Sequence, residues 1–135
     1  MRGRDDAVIV AAAVVPLALF LAAEHRIAGV AGLPLDDAWI HLHFARNLAE
    51  GLGFVYNPGV PVAGSTAPLW TLLLGLGARV AGASVVLAKT LGAITVVAAG
   101  LVTRRAALAW GAAPAAALVA GVALLWTGAF AWGAL

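Results

Sequence analysis

The chain has 135 residues, of which 64% are hydrophobic and 10% charged, with a mean hydropathy of +1.03. Soluble domains carry roughly a quarter charged residues, so most of this surface is expected to meet lipid, and the fold class expected is an all-α integral membrane protein. The net charge of +2 is too small to imply a nucleic-acid partner, and the lack of cysteine excludes a disulfide framework, a thiolate metal site and a cysteine nucleophile.

A bilayer core is crossed by about 20 apolar residues in a helix. The first such run is Ala7 to Ala23, preceded by Arg2 and Arg4. Pro16 within it is tolerable in a membrane helix, where neighbours re-satisfy the freed carbonyl. A cleaved signal peptide is the competing reading, with Ala22-Ala23 near its cleavage site. Against it stand the spans that follow and Asp5 and Asp6, which dilute the basic start. A retained anchor with its N-terminus inside is the expectation.

Residues 24–66 then form the expected first extracytoplasmic loop, with all three histidines and three of the six prolines. Gly29, Gly32 and Pro34 mark irregular chain, Asp36 to Glu50 reads as a helix, and Asn57-Pro58-Gly59 is a turn signal. Ser65 or Thr66 is suited to cap the next helix, with Pro68 in its first turn, where a missing N–H costs nothing.

Three more apolar runs follow: Ala67 to Gly82, Ser84 to Thr103 with Lys89 inside it, and Ala113 to Leu135. That makes about four hydrophobic segments in a single membrane unit covering residues 1–135. Arg2, Arg4 and Arg79 agree with an N-terminus inside, but alternation then puts Arg104-Arg105 outside. Either the short second segment is re-entrant, or that loop departs from the positive-inside rule.

The chemistry concentrates on the helix from Asp36 to Glu50. At about 100° per residue, Asp36, His43, Arg46, Asn47 and Glu50 share one arc, opposite a broad apolar side with Trp39 and Ile40 at its edges. Such a helix is suited to the membrane interface, with Trp39 at headgroup depth. Asp37 and His41 break the pattern, lying one turn apart inside the apolar arc. A carboxylate and an imidazole placed there are costly unless they meet a cavity, each other or a ligand.

The plain alternatives stay open: helix capping for Asp36, a satisfied structural histidine for His41, and a solvated polar face for His43, Arg46 and Glu50. Asp37 with His41 could bind a divalent cation, although a third ligand is not evident. Lys89 could meet an anionic phosphate or snorkel to an interface.

Several stretches carry a resemblance. They are Asp36-Asp37-Ala38-Trp39-Ile40, Phe44-Ala45-Arg46-Asn47-Leu48-Ala49, Gly51-Leu52-Gly53-Phe54-Val55-Tyr56-Asn57-Pro58-Gly59, and Gly64-Ser65-Thr66-Ala67-Pro68-Leu69-Trp70. In this order they resemble the first outer loop of GT-C glycosyltransferases, nearest the actinobacterial arabinofuranosyltransferase-like branch. The likeness covers roughly residues 30 to 75 by motif and the remainder by hydropathy only. It implies a multi-pass plasma-membrane enzyme that moves a sugar from a polyprenyl-phosphate carrier to a cell-envelope glycan acceptor on the outer face. It also implies a general base on the acceptor hydroxyl, a role that falls on Asp36 or Asp37. His41, His43, Arg46, Asn57 and Lys89 are the accompanying candidates for substrate contacts, with Arg46 and Lys89 placed to meet the leaving phosphate. The family pattern has an arginine where His43 stands, a glutamate where Ala63 stands and a tyrosine at Ser65. Enzymes of this class have many more spans, so the resemblance implies an N-terminal portion of a larger fold. The competing function is a small non-catalytic membrane protein, either a remnant or a scaffold subunit.

Overall fold

The computed structural model describes residues 2–33 and 35–127. It is all-helical, with no strand among the described residues: α1 (Arg2–Ala28), α2 (Asp36–Ala49), α3 (Pro68–Ala81), α4 (Val85–Ala109) and α5 (Pro114–Leu125). The chain divides into two compact units, one of Met1–Val30 with Gly92–Leu135 and one of Ala31–Leu91.

Helix α1 runs past the apolar stretch at both ends. Asp5 in its first turn and His25 and Arg26 in its last complement the helix dipole, and Pro16 is accommodated inside. Two helices are long and apolar enough to cross a membrane: Gly3–Ala28, with a best-window hydropathy of 2.4, and Val85–Ala109, with 2.1. Only 11% and 22% of those windows are buried within the chain. The core helix of a soluble protein would be mostly buried.

Of the four expected hydrophobic segments, two are helices of spanning length among the described residues, and two more are shorter apolar helices. With 14 residues, α3 extends about 21 Å at about 1.5 Å per residue, short of a hydrocarbon core of roughly 30 Å. Gly82 ends it. Helix α5 is shorter still at 12 residues, and closes with Thr127 donating its hydroxyl to the Leu124 carbonyl at 2.8 Å. The last part of the expected fourth segment, residues 128–135, lies outside the described residues, as does Pro34.

In the first unit, Ile9 and Ala13 of α1, Val96 of α4 and Leu125 of α5 form the core. Backbones approach closely there. A Cβ placed on Gly121 would lie 2.8 Å from the Gly100 carbonyl oxygen and 3.0 Å from the tip of Ile9. Small residues at such crossings are how apolar helices gain packing without a water-driven hydrophobic force between them.

The second unit packs α2 against α3, with Ala45, Leu74 and Ala88 at its core and Leu33, Trp70 and Leu91 around them. The apolar side of α2 is therefore covered by protein: Leu42, Phe44 and Ala45 are buried, and Trp39 is its large exposed apolar residue. Periodicity alone reveals that a helix has an apolar face but not whether lipid or another helix covers it.

Candidate functional site

Helix α2 begins on the acid pair and ends in a Schellman motif. Gly51, at φ 81°, donates to Leu48 and Leu52 donates to Asn47, at 3.2 and 2.9 Å. At its start the N-cap position is Leu35, in extended conformation, not Asp36. Asp36 is the first helical residue, yet its Oδ1 still accepts from the Asp37 N–H at 3.0 Å, so it satisfies one of the orphan donors of the first turn.

Both aspartates are exposed. The placement of Asp37 on the apolar arc therefore does not desolvate it, because the covering by α3 does not extend over the first turn. Its carboxylate meets no hydrogen-bond donor among the described residues, whereas that of Asp36 is engaged with backbone.

His41 does enter the interior and is 8% exposed. Its Nδ1 lies 3.1 Å from the Thr71 hydroxyl and 3.2 Å from that of Ser65, which are themselves 2.9 Å apart. Thr71 gives its only proton to the Ala67 carbonyl at 3.1 Å. It can then only accept from His41, so Nδ1 carries the proton and Ser65 donates to Thr71. Nδ1 of His41 is thus satisfied inside the protein, as the structural reading of this histidine requires. Ser65 is spent here and not on capping α3, whose N-cap is Ala67 with no side-chain hydrogen bond, while Pro68 holds the first turn as expected.

The polar arc does not face solvent uniformly. Asn47 is 2% exposed, and its Nδ2 donates to the carbonyls of Val55 and Tyr56 at 2.9 and 2.7 Å. His43 Nε2 donates to the same Tyr56 carbonyl at 2.9 Å, while its Nδ1 accepts from Arg46 Nη2 at 3.2 Å. His43 therefore holds the opposite tautomer from His41. Its ring also lies against that of Tyr56, centroids 4.3 Å apart, and Phe44 packs on Phe54 and Tyr56. A loop without regular structure must still satisfy its carbonyls, and α2 supplies the donors.

Sequence reasoning missed Asn47 as a site-building residue. The available signal was an amide one turn after His43, facing a loop rich in glycine and proline whose carbonyls needed partners.

Asn57 opens the expected turn. Val60 N–H returns to its carbonyl at 3.1 Å, with Pro58 at the second position and Gly59 at φ 80° in the third. That is the type II arrangement, which requires a residue tolerant of positive φ there. Arg46 and Glu50 are exposed, and Lys89 is half-buried in the second turn of α4.

Trp39, Leu42, His43 and Arg46 line an open groove of about 290 Å³ together with Ala83, Ser84 and Val85. The site thus gathers His43 and Arg46 at one groove, sets Asp36 and Asp37 at the head of the same helix, and commits His41 to the interior. No group of three or more His, Asp or Glu side chains able to hold a metal ion occurs among the described residues.

Comparison with protein-family models, curated proteins and solved structures finds no match to this chain.

Proposed function

We propose that the chain is part of a membrane glycosyltransferase that moves a sugar from a polyprenyl-phosphate donor to a cell-envelope acceptor. In this reading α1 and α4 cross the plasma membrane, the chain between them (residues 29–84) lies on the outer face, and α2 rides at the interface. One observation carries the proposal. The stretch bearing the GT-C likeness folds as a compact unit in which Asp37 stands exposed and uncommitted at the head of α2, while the loop behind it is tied down by Asn47 and His43.

Asp37 takes the proton of the acceptor hydroxyl as that oxygen attacks the anomeric carbon. The bond from that carbon to the phosphate oxygen breaks, and the leaving phosphate keeps the electron pair. A carboxylate in this role contributes about 10²–10⁴-fold to rate. Arg46, oriented by His43, and Lys89 are the cations proposed to receive the developing phosphate charge. Asp37 is preferred to Asp36 because Asp36 Oδ1 is engaged by a backbone N–H.

The test is transfer from a polyprenyl-phosphate sugar by the complete enzyme in membranes. Asp37→Asn should lose roughly 10²–10⁴ of the rate at unchanged expression, with a smaller loss for Asp36→Asn. Full transfer by both variants rules the assignment out.

A further inference from the structure

A second cluster of charges lies in the other unit. Arg104, 4% exposed, donates from Nη2 to Asp5 at 2.7 Å and from Nη1 to Asp6 at 3.0 Å. The start of α1 and the end of α4 are therefore bound side by side, which makes the two helices antiparallel. Arg105 reaches the second Asp6 oxygen only at 3.9 Å and is 66% exposed. Arg4 is exposed as well. Arg104 offsets one of the two carboxylate charges, and with Arg4 and Arg105 the five side chains carry a net charge of +1.

An open cavity of about 460 Å³ adjoins this cluster, lined by Asp6, Arg104 and Arg105 on its polar side and by Leu108 and Ala109 on its apolar side. Arg104 lines it, and its Nε–H is buried with no acceptor. A buried N–H left in that state is costly, and a guanidinium in this setting recognises an oxyanion. The cavity opens at the ends of two helices of membrane-spanning length, where headgroups would stand.

We propose that this cavity binds the headgroup of an anionic phospholipid. The phosphate is held by the exposed Arg105, with the guanidinium of Arg104 behind it, and the acyl side lies along Leu108 and Ala109. The charge then places both helix ends on the cytoplasmic face. This removes the conflict over Arg104-Arg105, since with α3 too short to cross, Arg2, Arg4, Arg104 and Arg105 all fall on the same side. The inference rests on α1 and α4 crossing the membrane and is independent of sugar transfer.

The experiment is thermal unfolding of the full chain in vesicles of phosphatidylcholine, with and without phosphatidylglycerol. Phosphatidylglycerol should raise the midpoint, Arg105→Gln should abolish most of that rise, and Arg79→Gln should retain it. No rise, or an equal rise in Arg105→Gln, overturns the proposal. So does the same rise produced by inorganic phosphate in phosphatidylcholine vesicles, which would make the ligand a free anion. The chain contains no cysteine, so single cysteines report sidedness cleanly. Gly3→Cys and Trp110→Cys should react with an impermeant maleimide only after the cells are opened, and reaction of the two from opposite faces overturns the placement.

Discussion

His41 and Thr71, thirty residues apart in the chain, meet at 3.1 Å inside the α2–α3 unit, with the imidazole as donor and the hydroxyl as acceptor. This contact fixes α3 against α2 more specifically than the apolar packing around it, because only one register brings the two polar groups together. Thr71→Val keeps the shape but removes the acceptor. It is expected to cost about 1–3 kcal/mol, read as a lowered thermal midpoint, whereas Thr71→Ser should restore most of it. Loss of the Nδ1–H signal of His41 in the nitrogen spectrum should accompany the first change only.

Asn47 holds the loop in the same way. Tyr56 O has a second donor in His43, but Val55 O has only Asn47 among the described residues. Asn47→Ala should therefore destabilise by about 1–3 kcal/mol and expose the chain near Val55 to limited proteolysis. Asn47→Asp should be worse, since a carboxylate would face two carbonyls. Equal resistance of Asn47→Asp and the parent protein would contradict this arrangement.

Two glycines make opposite predictions from nearly equal distances. A Cβ on Gly75 would come within 2.7 Å of Leu48 Cδ2, the far end of a flexible side chain, whereas one on Gly121 would meet the Gly100 carbonyl at 2.8 Å. The leucine can turn away. The backbone cannot move without parting α4 from α5. Gly75→Ala should be close to neutral, helped by the gain of about 0.5–1 kcal/mol for alanine in a helix. Gly121→Ala should cost about 1–3 kcal/mol as overpacking. Thermal midpoints of the pair decide it.

Arg104→Gln leaves Asp5 and Asp6 facing each other without their cation. A cost of about 3 kcal/mol is expected, discounted somewhat because both carboxylates are about a quarter to a third exposed. Adding Asp5→Asn and Asp6→Asn to the same chain should recover part of the lost midpoint. Failure of the triple variant to recover any would mean that Arg104 acts through packing alone.

Residue types and their spacing determine much of this protein. Low charge and long apolar runs are enough for described residues that are helical without strands, with helices at residues 3–28 and 85–109 long and apolar enough to cross a membrane. Local chemistry places α2 from Asp36, the turn at Asn57-Pro58-Gly59 and Pro68 at the start of α3. These features depend on residues within a few positions of one another. The partners of polar side chains do not. The helical wheel puts Asp37 and His41 on one face, but only tertiary packing decides that α3 covers His41 and leaves Asp37 exposed. The same wheel assigns Asn47 to the polar side, and the fold spends it on carbonyls eight and nine residues away. Arg104 reads as a loop charge, and the structure pairs it with Asp5 and Asp6, ninety-nine and ninety-eight residues earlier. A buried polar group must find a partner, and the partner can lie anywhere that folding brings it.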